Sequence, residues 1–518
     1  MRGLFRGLSS CLPKSELTRN AALLGGGTVL SHGLQVLATL FLAKLYAPNA
    51  FGEWALLMSF ATVASAVGGL RYELAIVLAE DDAQALSVFA LQTVCNSLLS
   101  GVVLAVVLLA PSAIWMAIGS QELSPWLYVL PVVVFLTGMT QAVNYWLVRT
   151  KQFRWLAFYR LAQTAVCVGT QTLLAILVQG SPSGLVLGSV AGLLVVVGML
   201  WVQASLGYGR LLQQTVTKRS MWQSARKYRN FPKYTVPYGL VGVLRERGLI
   251  FLLGIFAGTS VVGLYTQALR LVHSPINLVA NSLNLVLYRR AVAEPDVANV
   301  APVVSRITMK MALLAAPAFV FFAWFARDIA SLLMGDRWAD VGLYGALWAA
   351  PAYVYLLGGW MDRMLDVVGR QRVAMVIEVC YSILALAGFA IGFWCFGSAA
   401  AGIALVAVAA VLYQFSWLVA VYYLCRFPFT DLARIGLHSL LLASGAGLFL
   451  WASSTLLAPS FTPWVGAAGL GVYYTVMLIL TRTRQPAIDE PDNSGDPILS
   501  LSQPSADGWS GERLNPAA

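Results

Sequence analysis

The sequence predicts an all-α polytopic membrane protein of about 14 transmembrane helices, two six-helix bundles followed by two C-terminal helices. Three observations carry this. Hydrophobic residues fill 59% of the 518 positions and charged residues only 11%, against roughly 25% charge in a soluble domain, so water cannot be the solvent for this much apolar surface. Apolar runs of roughly 18 to 25 residues, each able to cross about 30 Å of hydrocarbon, recur along the whole chain. Lysine and arginine gather in alternate connections between those runs. Soluble enzyme, disordered scaffold and secreted disulfide protein are excluded, and the formal net charge of +11 reflects membrane topology rather than nucleic-acid binding.

The predicted spans are 21–45, 51–70, 85–110, 125–148, 155–179, 184–204, 235–257, 260–288, 304–326, 342–365, 373–396, 399–424, 435–457 and 463–481. Residues 1–20 carry Arg2, Arg6, Lys14 and Arg19 and form a cytoplasmic segment; the first apolar run is too long for a cleavable signal core. Spans one to six make an N-lobe, 21–204. A basic cytoplasmic linker, 205–234, holds Arg210, Lys218, Arg219, Arg226, Lys227, Arg229 and Lys233. Spans seven to twelve make a C-lobe, 235–424, and two further spans occupy 435–481. The tail, 482–518, is rich in proline, serine, aspartate and glycine and reads as disordered.

Orientation follows from the cations. Arg149, Lys151 and Arg154, Arg289 and Arg290, Arg363, Arg370 and Arg372, and Arg426 and Arg434 all fall on the linker's side. The connections after the third, fifth, seventh, eleventh and thirteenth spans hold no lysine or arginine, and only Arg327, Arg337 and Lys44 lie on that opposite side. Both termini are therefore expected in the cytoplasm.

The two halves share a pattern. Ala47-Pro48-Asn49-Ala50-Phe51-Gly52-Glu53-Trp54 follows the first span, and Gly258-Thr259-Ser260-Val261-Val262-Gly263-Leu264-Tyr265 follows the seventh. Each is a short turn leading through a glycine and an aromatic into the next helix. Thr150-Lys151-Gln152 likewise pairs with Gly369-Arg370-Gln371. Together these set spans one to six opposite seven to twelve, with a cleft expected between them. Chance likeness of short loops is the alternative.

Catalysis finds little room. The longest outside segment is Arg327–Val341, and no metal motif, phosphate loop or nucleophile elbow occurs. Cys11, Cys95, Cys167, Cys380, Cys395 and Cys425 have no ligand spacing and read as small apolar fillers. No enzyme activity, cofactor or metal is expected.

Polar groups inside the spans are the informative feature, because a charge at the bilayer centre costs about 2.5 to 3.5 kcal/mol on insertion scales. Span seven carries Arg245, Glu246 and Arg247 roughly 12 to 15 Å from either end. Three charges cost roughly 8 to 10 kcal/mol, while the apolar neighbours return about 3 to 6. Successive residues turn by about 100°, so Glu246 is expected to face the cleft with the arginines flanking it, or the helix to break locally. An internal ion-pair cluster locking the helix to its neighbours is the structural alternative. In span eight Gln267, Arg270, His273, Asn277, Asn281 and Asn284 fall within about 120° and form one polar stripe, with Pro275 expected to kink it. A hydrated wall explains so long a stripe; amide bridges between packed helices are the alternative. Shorter stripes are Thr28, His32, Gln35 and Thr39 in span one and Arg160, Gln163 and Gln171 in span five, with Gln141 and Asn144 in span four. Gln35 falls opposite Glu246 in the repeat. Arginines outnumber acids, which favours an anionic ligand. Candidates for ion coupling are Glu246, Glu378, Asp362 and Asp366.

Several of these segments resemble a known family. Leu17-Thr18-Arg19-Asn20-Ala21, Phe51-Gly52-Glu53 and above all Leu70-Arg71-Tyr72-Glu73-Leu74-Ala75-Ile76-Val77-Leu78 are similar to the polysaccharide-transporter branch of the multidrug/oligosaccharidyl-lipid/polysaccharide exporter superfamily, the O-antigen and capsule flippases. Tyr228-Arg229-Asn230-Phe231-Pro232, the Arg270 and Pro275 pair with Tyr288-Arg289-Arg290-Ala291, and Met334-Gly335-Asp336-Arg337-Trp338 resemble it too, so the likeness runs over about 15–425. The resemblance implies a MATE-like exporter fold and a flippase of the bacterial inner membrane. It implies transfer of undecaprenyl-pyrophosphate-linked oligosaccharide to the outer leaflet, among membrane lipids and with polysaccharide polymerase and chain-length machinery as partners. Arg71, Arg160, Arg245, Arg247 and Arg270 become candidates for the pyrophosphate, though only Arg71 and Arg270 lie in matching motifs. A multidrug or metabolite antiporter of the same superfamily is the alternative, and would favour acidic cleft residues.

Overall fold

The structure is a computed structural model and describes residues 33–109, 124–178, 180–207, 215–294, 296–458 and 461–483. The predicted N-terminal segment, the start of the first span with Thr28 and His32, and the tail lie outside these residues. Among the described residues every regular element is helical. The chain divides after Gly466 into two compact units.

The N-terminal half contains α1 (Gly33–Leu45), α2 (Pro48–Gly68), the short α3 (Tyr72–Leu78), α4 (Asp82–Leu109), α5 (Leu130–Arg149), α6 (Phe153–Leu177) and α7 (Pro182–Gly207). The linker helix α8 (Lys218–Lys227) follows. The second half contains α9 (Val236–Ala257), α10 (Thr259–Ala293), α11 (Ala301–Met334), α12 (Ala339–Gly358), the one-turn α13 (Met364–Val367), α14 (Gln371–Phe396) and α15 (Ala399–Leu424). Then come α16 (Phe429–Leu456) and α17 (Thr462–Thr483), the latter running past the unit boundary.

Among the described residues eleven helices are long and apolar enough to cross a membrane, which makes the chain a multi-pass membrane protein. The expectation of about 14 also counts α9, α10 and the first span. The first two have ample length, 22 and 35 residues, but their charges and amides remove them from the apolar set. Of the first span, only the shorter apolar stretch α1 is described.

Because successive helices reverse direction, the chain has two ends. At one lie the turns before α2, α10 and α12; at the other lie α3, α8 and the segment between α12 and α14. Trp338 marks the first end and Asp366 the second. The predicted outside segment Arg327–Val341 is largely helix, since α11 continues to Met334 and a single 3-10 turn, Asp336–Trp338, leads into α12.

The Trp338 end is closed by contact between the halves. A Cβ on Gly52 would lie 1.7 Å from the Thr259 carbonyl oxygen, and one on Gly263 would lie 1.9 Å from the Pro48 carbonyl oxygen. Pro48 precedes Gly52 by the same four positions that separate Thr259 from Gly263, so α2 and α10 cross reciprocally at the glycines singled out by the repeat. Close helix approach of this kind needs small residues. Trp338 is fully buried, stacks edge-on against Phe51 at 5.3 Å and donates its indole N–H to the Ala43 carbonyl at 2.6 Å.

The repeat extends to the helix ends, with one adjustment of register. Lys151 and Gly369 both take positive φ, 55° and 69°. The following N–H groups, of Gln152 and Arg370, reach back five residues to Leu147 and Leu365, the pattern of a Schellman cap. Lys151 is therefore equivalent to Gly369, one place from the pairing suggested by the residue types. Backbone conformation sets this equivalence, and the sequence pattern follows it only loosely.

At the Asp366 end α8 begins with a capping box between Thr217 and Ser220 and docks on the N-terminal half. The Ser87 and Ser220 hydroxyls meet at 3.1 Å, and Lys227 donates to Glu80 at 2.7 Å. That hydrogen bond holds the exposed Lys227 ammonium above its ordinary pKa.

Candidate functional site

A cavity of about 1750 Å³ is enclosed mainly by α9, α10, α12, α14 and α15, with Trp54, Ala55 and Met58 of α2 on the remaining side. It runs from mid-helix, at Trp54, Arg270 and Trp348, to exposed Asp362, Asp366 and Arg372 at the Asp366 end. A recess of about 280 Å³ adjoins it behind Arg245, Glu246 and Arg247. Ordinary small-molecule pockets span about 300 to 1,000 Å³, so this one suits a larger ligand.

The Arg245-Glu246-Arg247 triplet lines the cavity from an α9 whose helix is unbroken, so the local break is not needed. Glu246 is the most exposed of the three, flanked by half-buried arginines. Arg245 is tied down: its Nη1 lies 2.9 Å from Glu378 Oε2, and the other Glu378 oxygen accepts from Tyr413 at 2.8 Å. Arg247 has no ion pair among the described residues, and its buried Nε lacks a hydrogen-bond partner.

Along α10 the predicted stripe divides. Arg270, His273 and Asn277 face the cavity. Arg270 places its guanidinium 4.9 Å from the Trp54 ring centroid and donates to Thr39 at 3.4 Å, with no carboxylate in ion-pair range among the described residues. His273 packs edge-on to Trp348 at 5.4 Å. Gln267 is buried away from the cavity, and neither amide atom has a hydrogen-bond partner among the described residues. Asn281 is exposed off the cavity, and Asn284 donates to Asp362. Helical backbone continues through Pro275 as one element, whereas α11 is kinked at Phe325, where φ is −103° and ψ 18°.

The other predicted ligand contacts among the described residues do not line the cavity. Gln35 is exposed on α1, and Asn144, Arg160 and Gln163 are half-buried on α5 and α6. Gln171 donates to the Leu185 carbonyl at 3.1 Å, joining α6 to α7 as an amide bridge. Arg71 sits just behind the cavity wall. A Cβ on Gly239, a lining residue, would lie 2.4 Å from Arg71 Nη2, and Arg71 Nη1 lies 3.7 Å from Glu73 Oε1. Leu70 and Arg71 both hold left-handed φ values, 49° and 59°, a strained pair that aims the Arg71 side chain toward α9. Burial raises the Glu73 carboxyl above its ordinary pKa, against the opposing pull of its backbone N–H and Arg71. Of the ion-coupling candidates, Glu246, Asp362, Asp366 and Glu378 all line the cavity.

Sequence reasoning missed the rings. Trp348, Tyr355, Tyr381, Tyr413 and Trp417 all line the cavity, with Tyr381 and Tyr413 stacked at 4.5 Å. Inside a membrane span an aromatic reads as one more apolar residue. The spacings Trp348-Pro351-Tyr355 and Tyr413-Trp417 are one-face helical intervals and were the available signal.

Residues 41–342 match the model of a family described as polysaccharide biosynthesis protein. No curated protein matches the chain. A solved structure described as "Lipid II flippase MurJ, inward closed conformation" superposes with a TM-score of 0.65 at 14% identity, covering 89% of this chain and 99% of that one. A second, "Inward-facing conformation of a multidrug resistance MATE family transporter of the MOP superfamily", gives a TM-score of 0.54 at 13% identity, covering 78% and 94%. These likenesses show a shared all-helical fold.

Proposed function

Since the chain belongs to the polysaccharide biosynthesis protein family, we propose that it is a flippase carrying undecaprenyl-pyrophosphate-linked oligosaccharide across the bacterial inner membrane for surface polysaccharide synthesis. Both termini and the Asp366 end face the cytoplasm in this reading, and the product passes to polymerase and chain-length machinery. The observation that carries it is a pair of cavity arginines, Arg247 and Arg270, without carboxylate partners among the described residues. Their planar donor sets match phosphate oxygens, and the low-dielectric surroundings strengthen the attraction. The pyrophosphate binds there, the sugars fill the remaining cavity, and the prenyl tail stays in lipid. Separation of α2 from α10 at the Gly52–Gly263 crossing then opens the other end. His273, Asn277 and the other predicted polar residues near the cleft contact the headgroup in one state or the other.

Replacing Arg270 or Arg247 with alanine in a strain dependent on this protein should sharply lower surface polysaccharide at normal protein abundance. The cavity carboxylates favour a second reading, an antiporter of cationic drugs or metabolites. Unchanged glycan with altered drug tolerance in the same variants would select that reading.

A further inference from the structure

We infer that the outward face of α8, carrying Lys218, Arg219, Trp222 and Arg226, is a binding surface for anionic phospholipid headgroups of the membrane leaflet at the Asp366 end. The surface is separate from the transport cavity, which no described residue of the linker lines. Binding there does not depend on the flippase reading.

Helix geometry divides α8 into two sides. At about 100° per residue Lys218, Arg219, Trp222 and Arg226 share an arc of about 100°, and Ser220, Ser224 and Lys227 lie nearly opposite. The second side is the docked one: Ser224 is buried, Ser220 meets Ser87 at 3.1 Å, and Lys227 donates to Glu80 at 2.7 Å. Just beyond the helix, the Tyr228 hydroxyl donates to Gln84 at 3.1 Å. Gln84 and Ser87 belong to the first two turns of α4, a helix long and apolar enough to cross the membrane. α8 therefore lies along the flank of α4, with its N-terminal end the deeper one. Ser87 is about 8 Å in from the start of α4, which sets α8 at the membrane–water boundary and not in bulk water.

The exposed side has the composition of such a boundary. Trp222 is 71% exposed amid Lys218, Arg219 and Arg226, all three exposed and without an ion pair among the described residues. Past the helix, Arg229 and Lys233 are exposed and likewise have none, and the Lys233 ammonium lies over the exposed Tyr234 ring at 5.0 Å. A face solvated by water alone gains nothing from an indole at its centre. At a membrane surface the ring buries its apolar body among the headgroups while guanidinium and ammonium groups meet lipid phosphates. Each cation held against an anionic leaflet strengthens binding by about fivefold. The chain runs from α8 through the turn Phe231–Thr235 into α9, whose Pro237 and Gly239 line the cavity, so lipid bound to α8 anchors the linker beside that wall.

The test uses the purified full-length protein in neutral detergent and two photoreactive lipids, phosphatidylglycerol and phosphatidylcholine, each with a diazirine on the acyl chain next to the headgroup. Adducts are mapped by peptide mass spectrometry. Within 215–234 phosphatidylglycerol should give saturable adducts, at least about fivefold more than phosphatidylcholine. Lys218→Gln/Arg219→Gln/Arg226→Gln should lower them about tenfold or more, whereas the charge-keeping Arg219→Lys/Arg226→Lys should retain them. Should the triple variant fail to fold, added salt reads the same attraction in the native protein and should lower the phosphatidylglycerol adducts alone. Equal labelling by the two lipids, or labelling of 215–234 that neither the triple variant nor salt reduces, would overturn the inference. Capture of a soluble acidic peptide on 215–234 with no phosphatidylglycerol labelling would overturn it in favour of a protein partner.

Discussion

Arg270 of α10 rests its guanidinium 4.9 Å from the ring of Trp54 on α2, so the second half of the chain lays an arginine with no ion pair among the described residues on an aromatic of the first. A cation over an indole is stabilised by about 0.5 to 2 kcal/mol, less than the roughly 1.5 to 3 kcal/mol of a charged hydrogen bond. An arriving phosphate can therefore outcompete the ring. Arg270→Ala should slow transfer of lipid-linked oligosaccharide by about ten- to a hundredfold. Arg270→Lys should recover only part of the rate, because the ammonium keeps the charge but not the flat multi-donor fork. Rates in proteoliposomes at matched protein content check both.

Arg245 and Glu378 should behave as a unit. Their side chains are 27% and 35% exposed, so water weakens the pair without abolishing it. Arg245→Ala and Glu378→Ala should each lower the thermal unfolding midpoint, and the double variant should lose less than the sum, with a coupling of about 1 to 2 kcal/mol. Additive losses in a double-mutant cycle would show that the two groups do not support each other.

The Gly52–Gly263 crossing should tolerate no side chain. Gly52→Ala places a methyl 1.7 Å from a backbone oxygen, which no rotamer change can relieve, so a loss of about 3 kcal/mol, the upper end for overpacking, is expected. Gly445→Ala, where nothing lies within 4 Å, is the contrast; in mid-helix it should be neutral or gain up to about 1 kcal/mol. Yield and monodispersity of purified full-length protein separate the two outcomes.

Glu73 should make stability pH-dependent. Its carboxyl is held above the ordinary value of 4.5, mainly by burial, so the folded chain binds that proton more tightly than the unfolded chain. The contribution is complete below 4.5 and is lost as pH rises through the folded titration. Unfolding midpoints measured upward from that pH should fall in the native protein and fall less steeply in Glu73→Gln.

Much of this is legible in the sequence. Composition, run length and the placement of lysine and arginine determine a polytopic helical membrane protein, because the cost of exposing backbone or charge to hydrocarbon leaves a chain no other choice. The glycine turns before α2 and α10 are visible as a repeat, and the mid-span charges of α9 with Arg270, His273 and Asn277 of the α10 stripe lie on the cavity wall. Only the tertiary structure decided which polar groups share that wall. Arg245 finds Glu378 from 133 positions away, Gln171 bridges to α7, and Arg71 stops behind Gly239. Those outcomes depend on helix rotation and on which neighbour is nearest, and hydrophobic period constrains the side of a helix but not its partner. The rings of Tyr355, Tyr413 and Trp417 stayed hidden for the same reason: lipid and a packed cavity select aromatics alike, and only the assembled helices tell the two apart.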